Sequence, residues 1–137
     1  MLVENLKDLG EMADKIFLET DSLQTLKFKL GFDLTNCVAF DDEIYKKILI
    51  HETKYVDIYI ICWRKGQRSD IHGHPEKGCV MTCISGKLQE NKYNNNPSSL
   101  IGMTLINPED INYNYGNLVM HEIISLEDTV SLHVYHK

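Results

Sequence analysis

Trp63-Arg-Lys-Gly66-Gln-Arg-Ser69-Asp-Ile-His72-Gly-His74-Pro-Glu-Lys-Gly-Cys79-Val-Met-Thr-Cys83-Ile-Ser-Gly86 is the stretch on which the reading of this chain turns. Five residues separate Gly66 from His72, and His74 follows two positions later. In extended backbone, side chains at i and i+2 share a face, so both imidazoles can turn toward one interior. Two neutral imidazoles on one face make half of a metal site. Taken alone the pair is a weak sign. The spacing strengthens it: four residues lie between His74 and Cys79, and six between Cys79 and Gly86.

Working outward, the flanks alternate like strands. From Tyr45 onward, short runs rich in β-branched and aromatic residues are separated by turn signals. The expected strands are 45–51, 55–63, 69–73, 78–84, 87–93, 100–106, 111–115, 118–125 and 129–136. Lys65-Gly66, Ser85-Gly86 and Asn107-Pro108 punctuate them, and the Asn-rich stretch 94–99 reads as a loose hairpin loop. Many short strands at this spacing predict a sandwich or barrel. Before them, Leu2, Leu6, Leu9, Met12, Ala13, Ile16 and Phe17 recur at helical steps and form one apolar stripe. Asp21 or Ser22 would cap a second helix through Leu23, Leu26, Phe28 and Leu30, stopping at Gly31. The expectation is one mainly β domain over 1–137, with helical residues 1–31 and a barrel over 40–137.

Composition narrows the function classes. A chain of 137 residues fits one domain, and 43% apolar with 25% charged residues is ordinary for a globular protein. A net charge of −6 argues against nucleic acid, whose phosphates need a basic patch. No run of 18 apolar residues offers a membrane span, and Ile58–Trp63 is strand-sized. Met1–Gly10 lacks the apolar run of a signal peptide. Cys37, Cys62, Cys79 and Cys83 have no CxxC spacing and read as reduced thiols in a cytoplasmic protein. Oligomeric state is not encoded in any visible pattern.

A third metal ligand has two candidates. His133 lies in Val130-Ser-Leu-His-Val-Tyr135 and His121 in Leu118-Val-Met-His-Glu122; both segments read as strands. Their separation is even, so parity does not choose between them. His51 and His136 sit at strand or chain ends and read as exposed. Three neutral imidazoles suit iron, zinc, copper or nickel. A site with open coordination positions would be catalytic rather than structural.

Gly66-x5-His72-x-His74-x4-Cys79-x6-Gly86 resembles the first motif of the cupin superfamily, with cysteine in place of the motif's glutamate. The resemblance therefore implies a cupin-type (RmlC-like) β-barrel or jelly roll. Within that superfamily the residues resemble cysteine dioxygenase type I. Ile61-Cys62-Trp63 precedes the histidines at that family's spacing. Ser69-x-Ile71-His72-x-His74 is similar to its ligand segment. Cys79 lies where mammalian-type members carry a crosslinking cysteine. Val130–Tyr135 is similar to the third-ligand strand, so the resemblance favours His133 over His121.

This resemblance implies one Fe(II) held by His72, His74 and His133, with O2 and a small thiol as substrates. The implied activity is an oxidoreductase of cysteine metabolism, making cysteine sulfinic acid from L-cysteine. Zinc or nickel could replace iron on isolation. Tyr45, Lys47 and Trp63 are implied substrate-binding residues, and Cys79 a catalytic one. Two departures accompany it. Lys47 stands where the family has an arginine for the substrate carboxylate, and lysine cannot make the forked contact. The family's crosslinking tyrosine lies beyond the third-ligand strand, where this chain stops at Lys137, so that tyrosine reads as absent, the chain as C-terminally shortened and Cys79 as lacking a partner. The alternative is a metal-binding cupin with altered activity, on 3-mercaptopropionate or another thiol, or with a binding role only.

Overall fold

Val56–Trp63 shows how the chain builds its layers. Its residues alternate between two apolar environments, and the run Ile58–Trp63 of β-branched, aromatic and apolar residues leaves no site for a turn. A computed structural model describes residues 2–94 and 99–137. The strands are β1 (Leu2–Val3), β2 (Lys29–Leu30), β3 (Lys46–Glu52), β4 (Val56–Trp63) and β5 (Cys79–Ser85), then β6 (Leu88–Asn94), β7 (Leu100–Ile106), β8 (Ile111–Asn114), β9 (Val119–Ser125) and β10 (Thr129–His136). Five of them form a sheet in the order β3-β4-β10-β5-β8, and three form another in the order β7-β6-β9. All pairings within these two sheets are antiparallel.

One helix, α1 (Leu6–Thr20), precedes the sheets. The Asn5 side chain caps it by accepting from the Asp8 N–H at 2.8 Å. Asp21 ends it in the left-handed region, φ 56°, with its N–H on the Phe17 carbonyl. Leu9 and Ala13 are fully buried against the outer face of the larger sheet, among Ile58, Ile60, Leu132 and Val134. A second cluster, Ile61, Trp63, Met81, Cys83, Leu88, Ile106 and Ile123, lies between the sheets. Burial of each large apolar side chain contributes about 1.5–3 kcal/mol.

Two expectations are corrected. The segment 22–31 does not form a second helix: Leu23 and Leu26 are fully buried in irregular chain, and the Leu23 N–H bonds the Lys77 carbonyl. Contacts to the barrel therefore override the helical spacing. Residues 69–73 do not form a strand either. They follow β9 by isolated bridges, Arg68 to Ile124 and His72 to His121. The loop expected at 94–99 falls largely on 95–98, outside the described residues. Gly66 (φ 87°) and Gly86 (φ 92°) occupy left-handed turn positions, which explains their place in the motif. At Gly86 a Cβ would also lie 2.3 Å from Thr129 Oγ1.

Candidate metal centre

Alternation sorts the strand residues around a cavity of about 300 Å3 between the sheets. On β10, Val130, Leu132 and Val134 pack under the helix. His133 and Tyr135 therefore turn to the cavity, with Tyr45 just before β3, Lys47 of β3, Trp63 of β4 and Cys79 of β5. Tyr45 stacks on Trp63 with centroids 4.7 Å apart.

His72 and His121 exchange two backbone hydrogen bonds, each 2.9 Å, which fasten the histidine loop to β9. The three side chains of His72, His74 and His121 then converge. His121 Nε2 lies 2.8 Å from His74 Nε2 and 3.0 Å from His72 Nε2. The three candidate ligand atoms all lie within 4.8 Å of one another. His72 Nδ1 pairs with the Asp70 carbonyl at 2.7 Å, and His121 Nδ1 with the Glu90 carboxylate at 2.7 Å. These acceptors hold the protons on Nδ1 and leave Nε2 lone pairs facing inward. Bare lone pairs at such distances repel, and a cation removes the repulsion. The spacing also fits coordination, since bonds of about 2.1 Å at right angles put neighbouring nitrogens about 3.0 Å apart. His74 Nδ1 is buried without a partner among the described residues.

The third histidine of the cluster is thus His121, in place of the His133 that the resemblance favoured. His133 faces the same cavity, but its Nε2 lies 2.7 Å from Ser131 Oγ, which accepts from Trp63 Nε1 at 3.0 Å. Cys79, expected to lack a tyrosine partner, has one beside it. Tyr135 stands directly opposite Cys79 across the β10–β5 ladder. The Tyr135 hydroxyl hydrogen-bonds the Cys79 sulfur.

Glu90 escaped the sequence reading. It is 1% exposed, bonds His121, and accepts from Asn114 Nδ2 at 3.1 Å. The available signal was parity: Glu90 shares the inward face of β6 with Leu88, where a carboxylate is expensive. Burial pushes its carboxyl up, but the hydrogen bonds from His121 and Asn114 and the charge of Lys92 outweigh that and hold it below the usual range. Lys47 Nζ lies 4.4 Å from the Tyr59 ring centroid and 4.5 Å from that of Tyr135. Among the described residues it has no carboxylate partner.

Burial lowers every histidine facing the cavity for which a shift is resolved. His72 is lowered chiefly by desolvation, partly offset by the Asp70 carbonyl. His74 falls to about 2 through burial and then its histidine neighbours. His133 falls from 6.5 to about 3 through burial, then the charge of Lys47. Burial also raises the Cys79 thiol to about 12. A neutral buried His133 makes the metal-free protein acid-sensitive. Between pH 6.5 and 3 the unfolded chain binds a proton there that the native chain does not, so stability falls as pH falls. Urea midpoints should show about 1.4 kcal/mol lost per pH unit from this group, and His133→Gln should remove that part of the slope.

The two antiparallel sheets with a cavity between them give the chain a cupin-type fold. A cupin superfamily protein from Desulfitobacterium hafniense matches with TM-score 0.64 at 10% identity, over 77% of this chain and 88% of that one. A double-stranded β-helix protein from Klebsiella pneumoniae matches with TM-score 0.65 at 20% identity, over 77% of this chain and 82% of that one. Within this class the chain belongs to the cysteine dioxygenase type I family, whose model matches residues 4–137. The cysteine dioxygenase type 1 of Danio rerio is 25% identical, over 98% of this chain and 76% of the relative. Among the described residues no helix is long and apolar enough to cross a membrane.

Proposed function

We propose that this protein is an iron-dependent thiol dioxygenase that converts L-cysteine and O2 to cysteine sulfinic acid in the cytoplasm. The observation that carries this reading is the convergence of three Nε2 atoms in a cavity that also holds the Lys47 ammonium, which has no carboxylate partner among the described residues. In this reading His72, His74 and His121 hold the ion. Bound there, it would supply a site for the thiolate and for dioxygen activation. Three neutral histidines contribute no negative charge, which leaves that role to the anionic substrate. Iron is favoured over zinc or nickel because the chemistry consumes O2.

The remaining residues position and enclose the substrate. Lys47 offers its ammonium to the carboxylate. Tyr45 and Trp63 form one wall, and Ile61, Met81 and Ile123 keep water out. The Trp63–Ser131–His133 chain fixes the imidazole beside Tyr135. Tyr135, placed opposite Cys79, is the candidate for the family's crosslinking tyrosine, and its hydroxyl can hold a proton near the sulfur.

The test is anaerobic Fe(II) loading followed by oxygen uptake with L-cysteine, 3-mercaptopropionate and cysteamine. One O2 consumed per sulfinate formed is the expected result. No thiol-dependent uptake by stoichiometrically loaded protein would sink the proposal. Lys47 in the arginine's place supports a second reading, a cupin that binds a carboxylated ligand without turning it over. Tight ligand binding with no uptake is its signature.

A further inference from the structure

From the contacts of Lys47 we infer that Tyr59 is a positioning residue for anion recognition: it holds the Lys47 ammonium where a carboxylated thiol must bind. The inference rests on the proposed thiol substrate and concerns how this chain manages with lysine.

A lysine side chain is a flexible point charge, and its ammonium carries no fixed fork to orient a carboxylate. Something else must fix it. Lys47 leaves β3 opposite Ile61, and Tyr59 lies two residues along β4, on the same face as Ile61. The two rings meet edge to face, 5.6 Å apart at 86°, and the ammonium sits 4.4 and 4.5 Å from their centroids. Both distances are within cation–π range. Tyr135 lines the cavity, whereas Tyr59 is not among its lining residues. Tyr59 therefore touches the cation from behind and meets no substrate. Aromatic rings hold the ammonium without neutralising it. A carboxylate partner would have done so, and none is present among the described residues. The result is a charge fixed in place and available to an anion.

The discriminating measurement is equilibrium binding to the anaerobic Fe(II)-loaded protein. The paired probes are 3-mercaptopropionate and 1-propanethiol, which differ in the carboxylate. Wild-type protein should prefer the carboxylated thiol, and Lys47→Met should abolish the preference. Tyr59→Leu should reduce it about five-fold, the scale of one cation–π contact. Tyr59→Phe keeps the ring and should retain the preference. A merely structural role for Tyr59 would weaken both thiols alike and leave their ratio unchanged. An unchanged ratio in Tyr59→Leu, or a wild-type preference indifferent to Lys47→Met, overturns the inference. Tyrosine-dependent preference without oxygen uptake leaves the inference standing and removes the dioxygenase reading instead.

Discussion

His121→Ala protein is expected to lose its metal, while His133→Ala protein keeps it. The contrast follows from where the ring nitrogens point. His121 Nε2 lies within 3.0 Å of both other members of the cluster, so its removal takes away one of three donors. The loss of affinity should exceed the ~10–100-fold typical of an outer-shell change. His133 Nε2 is instead engaged with Ser131. Its removal leaves Ser131 with an unmet hydrogen bond in a buried place and should cost about 1–3 kcal/mol of stability, with metal stoichiometry intact. Elemental analysis of both variants, made side by side with the wild type, decides the matter. Metal retained in His121→Ala and lost in His133→Ala would return the third position to His133.

Glu90→Gln is expected to weaken metal binding about 10–100-fold with little change in shape. The Glu90 carboxylate accepts the His121 Nδ1 proton at 2.7 Å, which sets the tautomer and makes Nε2 a better donor. A glutamine amide can still accept there, but it is neutral, and it can flip to set N–H against N–H. It also gives up the ion pair with Lys92, 3.8 Å away. Competition with a chelator of known affinity gives the number. Equal affinity in wild type and Glu90→Gln would reduce Glu90 to a buried polar residue satisfied by its neighbours. Because the measurement reads metal affinity, it stands whether or not the protein turns over any thiol.

The two substitutions also show where a sequence stops being informative. Gly66, His72, His74, Cys79 and Gly86 lie within one continuous stretch, and their spacing reflects turn and strand geometry over a few residues. Such local geometry is set by backbone dihedrals, so the positive-φ turns at Gly66 and Gly86 were legible as glycines. Most of the strands were legible for the same reason, since alternation is local. The segment 22–31 has apolar spacing that suits a helix, but its partners lie elsewhere in the fold. Leu23 is tied to Lys77, and Gly31 to Val3, by backbone bonds that no local pattern records.

Local pattern in the chain was therefore enough for a cupin-type β-barrel, for two of the three clustered histidines and for the position of Cys79. Parity left His121 and His133 equivalent, and the resemblance favoured His133; contacts across the fold bring His121, not His133, into the cluster with His72 and His74. That choice lies in the reciprocal 2.9 Å bonds between His72 and His121, which join residues far apart in the chain. Tyr135 opposite Cys79, Glu90 beneath His121, and Tyr59 behind Lys47 are further cases. Each depends on the register between separate strands, and β10 slips against β5 by a bulge between Val130 and Ser131. A bulge changes which side chains meet while leaving the alternation along each strand nearly unchanged. Periodicity identifies the inward face, and cross-strand hydrogen bonds decide which inward residues touch.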